Sequence, residues 1–201
     1  MTGVQTCALP ISLLIKSQFT GIDPVKYAFL GPLVGALARP FGGWISDKIK
    51  SGALITQLVF IGMIVAVCGV IFFLPSNGEG GNFWGFFACF LALFALTGIG
   101  NGSTFMQVPV IFLNMHQKFA EEGKVSEEQA RLDATKEGAA VIGFTAAFAA
   151  YGGFFIPKSY GTSIDLTGSV NAALIGFIVF YAICAALNWW YYTRKGAEAK
   201  C

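Results

Sequence analysis

Charged residues are scarce in this sequence. Its 201 residues include 13 Lys and Arg and 11 Asp and Glu, so 12% are charged, whereas about a quarter of the residues in soluble domains are charged. Hydrophobic residues make up 55% of the chain, and the mean hydropathy is +0.66. This composition excludes an ordinary soluble domain and predicts an all-α integral membrane protein in a lipid bilayer. The net charge of +2 is too small to indicate a nucleic-acid partner.

Groups that usually carry enzyme chemistry are also scarce. His116 is the single histidine, and its place beside a charged segment favours a solvated or interfacial side chain. None of the five cysteines has a C-x-x-C spacing, and no acidic residue lies at membrane depth in any predicted span. A membrane-embedded enzyme would therefore lack a catalytic residue. We expect neither a metal site nor a cofactor.

Five long apolar stretches are predicted to cross the membrane, because each is about as long as the roughly 20 residues that a helical span needs, or longer. Within a C-terminal bundle of residues 27–193, they lie near 27–47, 53–74, 83–114, 138–157 and 170–192. Residues 12–26 are interpreted as the end of a truncated helix and a loop. The polar segment 115–137 predicts a short surface helix with Ser126 as its N-cap. Residues 158–169 predict a loop.

The two ends of the chain are predicted to lie outside the bundle. Residues 2–11, TGVQTCALPI, resemble the translation of a sequencing-adapter oligonucleotide, so we exclude residues 1–11 from the fold. On this interpretation the genuine protein begins near Ser12 and the chain is a fragment.

With Arg39 set aside, nine lysines and arginines fall on one side of the predicted spans and three on the other. The richer side, with the tail 194–201, is therefore predicted to be cytoplasmic.

Arg39 is the one charged residue well inside a predicted span. A charge at mid-membrane costs roughly 2.5–3.5 kcal/mol on insertion scales, so it needs a reason. Gly31, Gly35 and Gly43 recur with Arg39 at every fourth position, and such a stripe lets another helix approach closely. We therefore expect the stripe and Arg39 to face protein. The guanidinium could meet an acid outside this chain, carbonyls and water, or an anionic substrate; a purely structural alternative is snorkelling to the interface.

A second stretch, GIGNGSTF at residues 98–105, combines glycines with polar side chains. Gly98 and Gly102 have the spacing that permits close helix contact. Asn101 and Ser103 add polar atoms near mid-span. Two interpretations of this stretch remain, namely helix packing and the lining of a substrate site.

A third stretch, AAYGGFFIP at residues 149–157, contains the pair Gly152 and Gly153. Glycines expose backbone that an anion could approach, and the neighbouring phenylalanines could wall a dry pore. Tight packing followed by a helix end at Pro157 is the alternative.

At these three places the sequence resembles the C-terminal half of the NarK-type nitrate/nitrite porters of the major facilitator superfamily. The matching stretches lie within roughly residues 13–193 and are YAFLGPLVGALARPFGGWISDKI, FFACFLALFALTGIGNGSTF and GFTAAFAAYGGFFIPKSYG. GGWISDK also resembles the superfamily's cytoplasmic loop motif, which implies a role in that motif for Gly43, Asp47 and Lys48.

The resemblance implies two six-helix halves, of which this chain would supply about five complete helices and part of a sixth. Arg39 matches the arginine of the family's C-terminal half, which clamps the oxyanion with a second arginine from the missing N-terminal half. Gly152 and Gly153 fall in a nitrate signature motif, and Asn101 and Ser103 are expected to contribute polar atoms to substrate binding.

The function implied by this resemblance is secondary transport of nitrate and nitrite across the inner (cytoplasmic) membrane. Exchange of the two anions is favoured over proton symport, because no acid lies at membrane depth to carry a proton. Two alternatives remain, namely a porter of the same fold for another small anion and a truncated piece that transports nothing by itself.

Overall fold

The computed structural model describes residues 12–19, 21–49, 51–75 and 80–194, and the regular secondary structure in these ranges is entirely helical. The helices are α1 (12–18), α2 (Val25–Ala28), α3 (Leu30–Ile49), α4 (Gly52–Phe73), α5 (Phe83–Glu121), α6 (Glu127–Thr167) and α7 (Asn171–Asn188), with a π-helical turn at Trp189–Thr193. The all-α prediction is confirmed. The predicted adapter segment 1–11 and the tail beyond residue 194 lie outside the described residues.

Four of the described helices are long and apolar enough to cross a membrane: α4, α5, α6 and α7 with its π-helical turn. The remaining long helix, α3, has 20 residues, but Arg39, Asp47 and Lys48 lower its hydropathy. The first of the five predicted spans therefore corresponds to a helix that is long enough to cross a membrane but less apolar than the other four. Helices α5 and α6 have 39 and 41 residues, or about 60 Å each at 1.5 Å per residue, against a hydrocarbon layer of about 30 Å. Part of each must extend beyond the bilayer.

Helix α6 is longer than the sequence indicated. The predicted surface helix after Ser126 and the predicted span 138–157 form one continuous helix, and the predicted loop at 158–169 is wrong, because the helix continues to Thr167. The reason is that Tyr160 and Ser163, one turn apart, are buried, so this polar stretch has an inward face. The hydroxyl groups of Ser159 and Thr167 donate to carbonyls of the preceding turn, and that of Ser163 donates to the carbonyl of Ser169 just beyond the helix end.

The ends of the long helices are fixed by local side chains. Ser51 accepts a hydrogen bond from the backbone at the start of α4, Asn82 does the same for α5, and Ser126 is confirmed as the N-cap of α6. Gly168, with φ of 70°, ends α6 in the left-handed conformation that favours glycine.

The main apolar core lies between the first described helix and the start of α5. Leu14 and Ile15 of α1 are completely buried, and Phe86 of α5 is completely buried against them. Val70 of α4 and Leu174 of α7 join the same cluster. The core therefore joins α1, α4, α5 and α7 at one end of the helices, while α3 packs chiefly against α5.

Candidate functional site

Helices α3 and α5 run side by side in the same direction and touch through glycines. A Cβ atom on Gly98 would lie 2.9 Å from the Cβ of Ala38 and closer still to the carbonyl oxygen of Gly35. A Cβ atom on Gly102 would overlap the carbonyl oxygen of Arg39. Because these positions carry no side chain, the two backbones meet directly. We call this contact the glycine crossing.

The glycines of α3 at the crossing differ in part from the predicted stripe. A Cβ on Gly31 would lie 2.5 Å from the ring of Phe94, and one on Gly42 would overlap the backbone of Ile99. A Cβ on Gly43 would meet its nearest neighbour at an ordinary 3.6 Å. The reason is that a four-residue repeat drifts by about 40° per step on a helix of 3.6 residues per turn, whereas eleven residues make only slightly more than three whole turns. Gly42 therefore shares the face of Gly31, and the requirement for glycine lies there rather than at Gly43.

The side chain of Arg39 lies exposed at the edge of the glycine crossing. Its backbone is held against Gly102, but the residue is exposed, and its guanidinium has no hydrogen-bond or ion-pair partner among the described residues. The described part of the chain thus does not cover Arg39 in the way that the stripe predicted. The glycine crossing holds the backbone of Arg39 in place, whereas the charged side chain of Arg39 stays exposed.

Asn101 and Ser103 lie on opposite sides of Gly102. Ser103 is completely buried, and its hydroxyl is 3.0 Å from the hydroxyl of Thr56 on α4 and 3.0 Å from the carbonyl oxygen of Gly100. The side chain predicted to bind substrate is therefore enclosed between α4 and α5, which corrects its assignment. Asn101 is half-buried and lies about 100° from Gly102 in the other direction, away from α4.

Gly152 and Gly153 lie on α6, which does not pack against α3. The nearest atom to a Cβ on Gly152 would be 4.0 Å away and belongs to Ile156 of the same helix. The described residues therefore bring Arg39 and Asn101 to neighbouring helices but leave this glycine pair apart from them. The surrounding part of α6 is open, with Phe148 and Tyr151 more than 60% exposed.

The predicted loop motif lies at the end of α3. Asp47 lines a cavity of about 260 Å³ with Ser46, Gly52 and Gln107. Lys48 is not paired with Asp47; its ammonium group lies 5.2 Å from the centre of the Trp44 ring. The motif therefore forms the junction between α3, the start of α4 and the middle of α5.

Comparison with known proteins finds relatives over almost the whole chain. The chain is 41% identical over 189 residues to the nitrate/nitrite transporter NarU of Escherichia coli K12, a match that covers 94% of this chain and 40% of NarU. The chain is homologous to nitrate/nitrite transporters. It is also 39% identical to the probable nitrate/nitrite antiporter NarK2 of Thermus thermophilus, over 93% of this chain and 37% of that protein. No family model matches the chain.

The chain spans about two fifths of the length of these nitrate/nitrite transporter relatives. This share agrees with one half of such a protein, as the sequence predicted. Together with the four helices that are able to cross a membrane, the homology identifies a multi-pass membrane protein. The relatives are named as transporters rather than enzymes.

Thr56 and Asn188 are among the polar side chains within the apolar helices that were not singled out from the sequence. Thr56 is buried against Ser103, as described above. Asn188 is also buried, and its side-chain amide donates to the carbonyl of Ala53 at 3.0 Å and to the side-chain oxygen of Gln57 at 2.9 Å. The available signal was a polar residue within an apolar run, which in a membrane helix indicates an interhelical hydrogen bond.

Proposed function

We propose that this chain forms the C-terminal half of a transporter that moves nitrate and nitrite across the inner (cytoplasmic) membrane, and that Arg39 binds the anion. The single observation that carries the proposal is the exposed guanidinium of Arg39, which has no partner among the described residues. It projects from a backbone that the glycine crossing holds in place, in a chain homologous to nitrate/nitrite transporters.

The chemistry of the guanidinium supports this role. Its planar fork of N–H donors matches a planar oxyanion with two parallel hydrogen bonds, which an ammonium group does not provide. An arginine without an acidic partner keeps its positive charge available for an anionic substrate. Asn101, on the neighbouring helix and turned away from α4, would add an amide donor to the same anion.

The remaining part of the site would come from outside the described residues. The family resemblance implies a second arginine on the N-terminal half, so that two guanidinium groups enclose the anion between the halves. Gly152 and Gly153 would join the site when α6 packs against that half, because they offer exposed backbone rather than side chains. Binding at the interface of two halves fits transport by alternating access.

Exchange of nitrate for nitrite is the mode of transport that we propose. The described spans contain no acidic residue at mid-membrane that could carry a proton inward. Two arginines facing one anion would form a strong site that resists emptying, so the carrier would return through the membrane more easily with a second anion bound than with the site empty. We also propose that the C-terminus lies on the cytoplasmic side, which the excess of lysine and arginine on that side of the predicted spans supports.

The test uses a chimaera in which residues 12–194 of this chain replace the matching part of E. coli NarU. Nitrate uptake is measured in proteoliposomes loaded with nitrite. We expect uptake by the chimaera, and a loss of at least about tenfold in kcat/KM for Arg39→Lys, because the substitution keeps the charge and removes the bidentate hydrogen bonds. Arg131→Lys, an exposed arginine near the start of α6, is the matched control and should transport normally.

Three results would count against the proposal. A chimaera that reaches the membrane without transporting would contradict the assignment of function, and equal kcat/KM for Arg39→Lys and the control would contradict the role of Arg39. Stronger uptake of chloride or a small carboxylate than of nitrate in a competition assay would favour a porter for another anion. The chain expressed alone is expected to transport nothing.

A further inference from the structure

A buried chain of hydroxyl groups connects α4 to α5 one residue away from the glycine crossing. Ser103 donates its hydroxyl proton to the carbonyl oxygen of Gly100 at 3.0 Å. The hydroxyl of Thr56, 3.0 Å away, must then be the donor to the Ser103 oxygen, since Ser103 has one proton to give. Ser103 is completely buried and Thr56 is 9% exposed, so water does not compete for these bonds.

This contact fixes the rotation of α5 about its axis. Gly102 must face α3, because a Cβ there would strike the backbone of Arg39. Ser103 is held toward α4 by Thr56. With two successive residues directed toward two different helices, Asn101 lies on a third side of α5, where it is half-buried.

The start of α4 is itself held firmly, so Thr56 is a fixed point. Asn188 of α7 donates to the carbonyl of Ala53 at 3.0 Å and to the side chain of Gln57 at 2.9 Å, the residues that flank the Thr56 turn. On the other side, a Cβ on Gly52 would lie 3.2 Å from the Ser46 hydroxyl of α3. Helices α3, α5 and α7 thus all contact the first two turns of α4.

We propose that Thr56 is a positioning residue for anion binding: its buried hydrogen bond to Ser103 sets the rotation of α5 that presents Asn101 to the substrate held by Arg39. The inference rests on the proposed function and deepens it. It also gives Ser103 a definite role, since this residue transmits the position of Thr56 and does not touch the anion.

The test compares two substitutions of Thr56 in the chimaera. Thr56→Val keeps the shape of the side chain and removes the hydroxyl, whereas Thr56→Ser keeps the hydroxyl and removes a methyl group. If the hydrogen bond sets the rotation of α5, Thr56→Val should raise the KM for nitrate by about threefold to tenfold and Thr56→Ser should restore it. If Thr56 only fills space, the order is reversed, because Thr56→Ser leaves a small cavity and Thr56→Val does not.

A second measurement shows whether Thr56 acts through Asn101. In an Asn101→Ala background, Thr56→Val should leave the KM for nitrate unchanged, since the side chain that it positions is gone. Full additivity of the two substitutions would overturn the inference, as would a lower KM for Thr56→Val than for Thr56→Ser. These results presuppose nitrate uptake by the unsubstituted chimaera; its absence would overturn the proposed function and this inference with it, whereas uptake with the reversed order would overturn the inference alone.

Discussion

Replacement of glycine by alanine is expected to have opposite effects on stability at two helix positions, one in the glycine crossing and one outside it. Gly102 and Gly176 are both interior residues of long helices, and alanine in place of glycine favours the helix by about 1 kcal/mol at each. At Gly102, however, the new Cβ would overlap the carbonyl oxygen of Arg39 and lie 3.0 Å from the backbone nitrogen of Gly43. At Gly176 it would meet nothing within 4 Å.

The magnitude at Gly102 follows from the nature of the atoms that it meets. They belong to the backbone of α3 and cannot rotate away, so the two helices must separate, which costs about 1–3 kcal/mol in well-packed interiors. Gly102→Ala should therefore lower the free energy of unfolding by up to about 2 kcal/mol after the gain in helix propensity. Gly176→Ala should raise it by about 0.5–1 kcal/mol.

The assay is the apparent Tm of the purified chimaera in detergent, measured at a single heating rate because membrane proteins often unfold irreversibly. The KM for nitrate is measured on the same samples, and it should rise for Gly102→Ala alone, because the displaced backbone carries Arg39. A higher Tm for both substitutions would refute the close approach of α3 and α5 at Gly102. A lower Tm with unchanged KM would refute the link between the crossing and Arg39.

Two other contacts lead to smaller predictions. Asn188→Ala should lower the apparent Tm, because it leaves the side chain of Gln57 without the amide donor that holds α7 to α4, at a cost of about 1–3 kcal/mol; an unchanged Tm would show that water replaces the amide. Glu137→Gln should change the Tm little despite the 3.0 Å contact of Glu137 with His116, because the carboxylate is half exposed. A large loss of stability for Glu137→Gln would instead indicate a pair that becomes buried in the full transporter.

Much of the helical architecture could be predicted from composition and hydrophobic length alone. The long apolar runs correspond to helices, and the polar segment after His116 begins a new helix at Ser126. The end of α6 could not be predicted in this way. Lys158, Ser159 and Thr162 resemble a loop by polarity, and only the tertiary burial of neighbouring residues such as Tyr160 reveals the inward face of the helix.

The close approach of α3 and α5 could be anticipated from glycine spacing, but its register could not. A repeat of four residues suggests that all these glycines share one face of α3. Because an α-helix has 3.6 residues per turn, Gly43 is rotated away from α5 and Gly42 contacts it instead. The same rotation carries Arg39 to the edge of the contact. Residue spacing therefore indicated which helices meet, whereas the orientation of the charged side chain required the structure.

The polar residues of the GIGNGSTF stretch illustrate the same limit. Asn101 and Ser103 are two residues apart, and with the family resemblance both were expected to contribute to substrate binding. Their environments differ because the hydroxyl of Thr56 contacts Ser103 and not Asn101. Thr56 is 47 residues away in the sequence, so the residues around Ser103 give no indication of this contact. The assignment of Ser103 therefore changed, while that of Asn101 stays a prediction.

The binding of nitrate to Arg39 is tested most directly by isothermal titration of purified chimaera with nitrate, for the unsubstituted protein, for Arg39→Lys and for the control Arg131→Lys. Removal of a charge-assisted bidentate contact should weaken binding by about tenfold or more for Arg39→Lys, with the control unchanged. Equal affinity in all three proteins would contradict the account, because it would mean that the guanidinium left open by the glycine crossing does not hold the anion.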